Sequence, residues 1–167
     1  MHDNTVLTTK GWRDAATLRD GDEVMTYGEG FVPIQQVMKT DSFSSRVPCP
    51  AHFWPLRIPA GVLDNQLPFL LLPDNSVLFD VEDDPEAEPA LIPCRALMGR
   101  AGVTVEDPMQ RQPVIALHFD RPQLVAVAGG AYVNCAGGEL IGKAARVPVE
   151  ILGLSVARLA VSRRFPD

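Results

Sequence analysis

Long apolar runs, paired cysteines, basic clusters and aromatic residues are all scarce in this 167-residue chain, and each scarcity excludes something. No apolar stretch reaches the ~20 residues that a membrane helix needs, so a membrane protein is not expected. The three cysteines, Cys49, Cys94 and Cys135, stand 40 or more residues apart, with no CxxC pair and no nearby histidine at zinc spacing. So sparse and odd a count fits buried free thiols in a reducing compartment. The opening MHDNTVLTTKGW has no basic start followed by an apolar run, so no signal peptide is expected and the cytoplasm is the expected location. Lys and Arg number 15 against 21 Asp and Glu, and a net charge of −6 repels phosphate backbones, which argues against nucleic acid as a partner. The basic cluster of Arg158, Arg163 and Arg164 has no aromatic platform between its members and reads as a solvated terminus. A glycine-rich phosphate loop ahead of a helix is missing as well, so no nucleotide and no other cofactor is expected.

What is present is a globular composition, 46% hydrophobic and 22% charged, in a length that suits one compact core. Fifteen prolines and thirteen glycines cut the chain into pieces seldom long enough for a three-turn helix. Strands are expected at 5–9, at 23–27 and, after a reversal at Gly28-Glu29-Gly30, from Phe31 to Lys39 as one returning strand. Residues 12–18 could form one helical turn, and the Ser- and Pro-rich 40–55 reads as a covering loop. Leu56-Arg57-Ile58, 68–72, 76–81, 103–105, 113–119 and 124–127 read as further strands, and 90–98 as a strand edge with a helical turn. Between Asp80 and Glu88 six of nine residues are acidic, but the ligand spacing of a calcium loop is missing, so a solvated hairpin tip is expected. From Glu139 to Arg164 the apolar residues keep neither period, and one or two strands are expected. Runs of strands without long amphipathic helices predict an all-β sandwich, barrel or horseshoe.

Several phrases, in order, carry a family resemblance. Asn4-Thr5-Val6-Leu7-Thr8-Thr9 with Gly11, followed by Leu18-Arg19-Asp20-Gly21-Asp22-Glu23-Val24, is similar to a Gly-Thr strand leading to a Leu-x-x-Gly-Asp-x-Val turn. Pro55 to Leu63, Leu71-Leu72-Pro73-Asp74-Asn75-Ser76-Val77-Leu78 and Ile92-Pro93-Cys94-Arg95-Ala96-Leu97 continue the match. Together, over roughly residues 4–135, they resemble bacterial hedgehog/intein (Hint) domains. The resemblance implies an all-β, compact β horseshoe with short helical turns, with residues 1–138 as the Hint-like domain and 139–167 as a carboxyl-terminal extension packed on it.

It also implies a chemistry. In the family a Cys, Ser or Thr at the first position attacks the carbonyl just before it, and a histidine in the later block protonates the departing backbone nitrogen. Counting back from Thr5 puts the nucleophile position just ahead of Met1, and Asn75 stands at the histidine position. An amide gives and accepts hydrogen bonds but has no usable acid near neutral pH. Downstream, Pro122-Gln123 and Ala128-Gly129-Gly130 replace the His-Asp pair and the acidic residue that relatives often carry. Thr5, Asp74, Asn75 and His118 are therefore vestigial site candidates, with no catalytic residue and no metal ligand assigned. His118 is the one imidazole near the degenerate block that could serve as acid or base, with a strand histidine as the plainer reading. His52, beside Phe53 and Trp54, is expected to pack, as are Cys94 and Cys135.

The expected function is that of a stand-alone, catalytically silent Hint-like domain, not an enzyme, which binds an unidentified protein or peptide. Two alternatives stay open: residual autoproteolytic or acyl-transfer activity through His118 or a cysteine, and a structural module forming homo-oligomers through an apolar surface near Phe53, Trp54 and the carboxyl terminus.

Overall fold

The computed structural model describes residues 4–40, 49–82, 84–108, 113–135 and 149–167. The chain opens with a hairpin of β1 (Thr5–Thr8) and β2 (Gly11–Asp14), in register from Thr5 opposite Asp14 to Thr8 opposite Gly11. The hydroxyl of Thr8 accepts the Lys10 N–H and donates to the Gly11 carbonyl, and Gly11 takes the positive φ that the reversal requires. A 3-10 turn at Ala15–Thr17 follows, capped by the Asp14 carboxylate on the Ala16 N–H at 2.8 Å. Trp12 thus lies on a strand, and the helical turn expected from 12 to 18 shrinks to its second half.

A second hairpin joins β3 (Glu23–Thr26) to β4 (Gly30–Pro33), with Val24 and Thr26 turned inward. The single returning strand expected from Phe31 to Lys39 is two strands: β4 ends at Pro33, and β5 (Gln36–Thr40) pairs elsewhere. The break has a physical cause. Ile34 turns into the core at 1% exposure, and its backbone closes on Asp22 and Gly21 rather than on β3.

Beyond it come β6 (Leu56–Ile58), β7 (Phe69–Leu71), β8 (Ser76–Phe79), β9 (Ala90–Pro93), a 3-10 turn at Cys94–Leu97 and β10 (Thr104–Val105). β11 (Val114–His118), β12 (Gln123–Val127) and β13 (Ala131–Cys135) complete the strands. An eight-stranded sheet runs β2-β1-β3-β12-β13-β8-β9, with β4 attached to β3. A three-stranded sheet, β10-β6-β7, and a two-stranded one, β11-β5, complete the set. The fold is all-β, and β8 and β9 form a hairpin whose loop contains the acidic stretch.

Two apolar clusters fill the interior. One gathers Val6, Leu18, Val24, Ile34, Phe119 and Val125; the other is built around Leu56, Ile58, Phe69, Val77, Ile92 and Leu97. Val127 packs against both and joins them through the central strand β12.

The expectation of strands from Glu139 to Arg164 is corrected. Residues 139–148 lie outside the described part, and Leu154–Arg164 is an α-helix, α1, of eleven residues. Ala157, Ala160 and Val161, at helical spacing, are buried in the second cluster, against β9 and the 94–97 turn. Val156 and Leu159 stay more than half exposed on other faces, and these outward apolar residues blur the period. The only strand-like contact in this tail is a parallel bridge from Ile151 to Leu91, among the described residues.

Candidate functional site

Thr5 opens β1 half-buried, and its carbonyl accepts the Ala128 N–H at 3.0 Å. Its neighbour Asn4, which carries no distinctive pattern in sequence, does more. The Asn4 amide oxygen accepts the Leu70 N–H and its amide nitrogen donates to the Leu70 carbonyl, both at 2.9 Å. The Asn4 side chain thus pairs with one residue of β7 as a neighbouring strand would, and its own carbonyl takes the Ala15 N–H at 2.8 Å. The front of β1 is thereby bolted to β7, five residues upstream of Asn75.

Asp74 and Asn75 form the turn between β7 and β8. Asn75 donates its N–H to the Leu72 carbonyl at 3.1 Å and accepts the Cys94 N–H at 2.7 Å, while Pro73 accepts the Arg95 N–H at 3.0 Å. The turn is held by the backbone of the 94–97 segment, so the position of residue 75 is fixed whatever its side chain. Asp74 is exposed and ion-paired to Arg95, whose buried Nε meets no partner among the described residues.

His118 ends β11 opposite Gln36, in the two-stranded sheet. Leu117 and Phe119 are buried in the first cluster; alternation turns the half-buried imidazole to the other face of the strand. No hydrogen bond, ion pair or ring contact among the described residues joins Thr5, Asn75 and His118 to one another. A working site needs a base within hydrogen-bond reach of a nucleophile.

The hairpin tip at 128–130, notable in sequence only for its lack of an acid, is a structural joint. The Ala128 carbonyl accepts the N–H groups of both Gln66 and Leu67, at 2.8 and 3.1 Å. Beneath it the Asn65 amide, 2% exposed, accepts from the Leu63 N–H and donates to the carbonyls of Pro59 and Leu67 at 2.9 and 2.8 Å. Every strong hydrogen-bonding direction of that buried side chain is used except one lone pair.

The cysteines are free. Cys94 is fully buried in the second cluster, and burial pushes its thiol from 9.0 up to about 12. Desolvation has the same effect on the Cys135 thiol, raised to about 12, although that residue, like Cys49, is partly exposed by its accessible surface. In native protein one thiol, Cys49, is therefore expected to react rapidly with an aromatic disulfide reagent at pH 8, and Cys94 only on unfolding, as absorbance against urea would show. Because the unfolded thiol ionises first, the Cys94 contribution to stability is intact below pH 9.0 and is lost as pH rises toward 12. His52 stacks its ring 4.0 Å from that of Phe53, both exposed, and the Trp54 indole N–H donates to the Cys49 carbonyl at 2.8 Å. No cluster of three His, Cys, Asp or Glu able to hold a metal occurs among the described residues. No helix there is long and apolar enough to cross a membrane.

A β domain opened by a Thr-initiated hairpin, with a Pro-Asp-Asn turn before a strand pair and a Pro-Cys-Arg-Ala-Leu 3-10 turn after it, defines the class. The model of the Hint domain family matches residues 1–133, and the chain belongs to that family. No curated protein and no solved structure matches the chain.

Proposed function

We propose that this Hint domain is catalytically silent and acts by binding a protein or a peptide. Asn75 carries the reading. It occupies the position at which the family's resemblance places the proton donor, and its backbone is locked there from both sides, by Leu72 and Cys94. An amide at that point cannot protonate a departing nitrogen, so the peptide bond keeps its very poor leaving group. His118 offers no substitute, because no nucleophile bonds to it among the described residues, and Cys94 is buried and held as the neutral thiol. The packing of Ala157, Ala160 and Val161 into the second cluster supports residues 139–167 as an extension of the unit formed by 1–138. The cytoplasm is the location proposed.

The test fuses a short leader ahead of Met1 and incubates the protein with and without thiol and hydroxylamine. The expected outcome is an intact fusion by mass spectrometry after a day at 25 °C. Release of the leader with a new amino terminus near residue 1 overturns the proposal.

A further inference from the structure

This acidic protein carries a basic cleft among its described residues. The cleft, about 420 Å³, is lined by Lys10, Arg13, Arg19 and Lys39 with a single carboxylate, Asp22. The four cations come from four places: the β1–β2 turn, β2, the turn before β3, and β5. Two are tethered. Arg13 bonds to Asp22 at 3.3 Å and to the Thr17 carbonyl at 3.0 Å, and Lys39 donates to the Ala16 carbonyl. Neither the Lys10 ammonium nor the Arg19 guanidinium meets an anion among the described residues, and both are exposed. Asp22 is already engaged, accepting from both the Arg13 guanidinium and the Arg19 N–H.

A second cleft of about 500 Å³ shares Leu18, Arg19 and Lys39 with the first and runs along β5. β5 pairs with β11 on one side, and among the described residues no strand lies on the other. On that open side the Asp20 carboxylate accepts the Val37 N–H at 2.8 Å. The period of two directs the backbone N–H and carbonyl of Lys39 to the same side. An unpaired strand edge is a template for an incoming extended segment, whose main chain supplies the affinity and whose side chains supply the choice.

We infer that the partner is an acidic peptide segment that lies extended along the edge of β5 that no described strand pairs, beside Lys39, with its carboxylates on Lys10, Arg13, Arg19 and Lys39. The inference rests on the binding reading above and names the chemistry of the partner. Main-chain pairing to β5 favours a peptide over a free phosphate, because a compact anion uses the charges and leaves the strand edge unpaired. Local positive potential in a chain of net charge −6 also makes the choice selective, since the net charge of the remaining chain is negative.

The experiment is fluorescence anisotropy of the full chain with a labelled hexaglutamate peptide at low salt. The expected dissociation constant is on the order of tens of micromolar, weakening about tenfold in 0.5 M salt as exposed ion pairs are screened. The double variant Arg19→Glu/Lys39→Glu should bind at least about tenfold more weakly, whereas Arg158→Glu/Arg163→Glu, with the same change of net charge, should bind nearly as the parent does. A peptide methylated at alternate backbone nitrogens should lose about tenfold, as strand pairing requires. Circular dichroism should show that both variants keep the fold. Absence of peptide binding, equal weakening by the two double variants, or indifference to methylation overturns the inference. So does displacement by tripolyphosphate at concentrations as low as those of the peptide, which would mark a small-anion site. An intact leader fusion with no peptide binding sinks this inference alone; a cleaved leader sinks the proposed silence whatever the peptide does.

Discussion

Replacing Asn65 by Asp is expected to cost about 4 kcal/mol. The amide nitrogen of Asn65 donates to the carbonyls of Pro59 and Leu67 at 2.9 and 2.8 Å from a position 2% exposed. An aspartate puts an oxygen where that nitrogen was, so two attractive contacts become acceptor against acceptor. Shape is unchanged, so no cavity confuses the result. Urea unfolding followed by intrinsic fluorescence measures the loss, with a fall in Tm of about 12 °C for a chain of this size. The pH dependence has a definite sign. Burial and the two facing carbonyls favour the protonated acid, so the folded variant binds the proton more tightly than the unfolded chain does. Its deficit relative to the parent therefore shrinks as pH falls toward the ordinary carboxylate range near 4. A variant as stable as the parent at pH 7 would mean that the 59–67 loop is not held by this side chain.

Gly130→Ala is expected to destabilise by about 3 kcal/mol, through crowding alone. A methyl at Gly130 would stand 2.3 Å from the Asp64 carbonyl oxygen, a distance no such contact sustains. Neither side can yield cheaply. Asp64 already sits at φ 60, and the residue after it is Asn65, locked as described; on the other side Ala128, at φ 50, holds the N–H groups of Gln66 and Leu67. Gly153→Ala is the contrast, because nothing lies within 4 Å of its added methyl and its φ is negative. That change should stay within about 1 kcal/mol, the usual range for a helix cap. Equal losses in the two variants would remove the steric argument.

The strand pattern was readable where alternation is local. β1, β3, β8 and β12 follow from β-branched and aliphatic residues bounded by Gly, Asp and Pro, and the Cys94–Leu97 turn from its place after a Pro-ended strand. The break after Pro33 was not readable, because it depends on Ile34 finding a core contributed by residues far along the chain. The helix from Leu154 was missed for a related reason. Its buried face is made of two alanines and a valine, which a hydropathy pattern scarcely separates from the exposed Val156 and Leu159. β13 had no counterpart among the expectations, because its strand follows from pairing with β12 rather than from its own residues.

The candidate site divides in the same way. That residue 75 is an asparagine, and so has no usable acid near neutral pH, is a fact of the sequence alone, as are the net charge, the sparse cysteines and the ordered phrases that mark the family. Only the tertiary structure bolted β1 to β7 through Asn4, turned the glycines of the 128–130 tip into a packing joint, and gathered Lys10, Arg13, Arg19 and Lys39 beside the edge of β5 that no described strand pairs. The reason is one of range. Side-chain chemistry and alternation belong to single residues and their neighbours, whereas a buried amide's partners and a cleft's charges are set by which distant segments the core brings together.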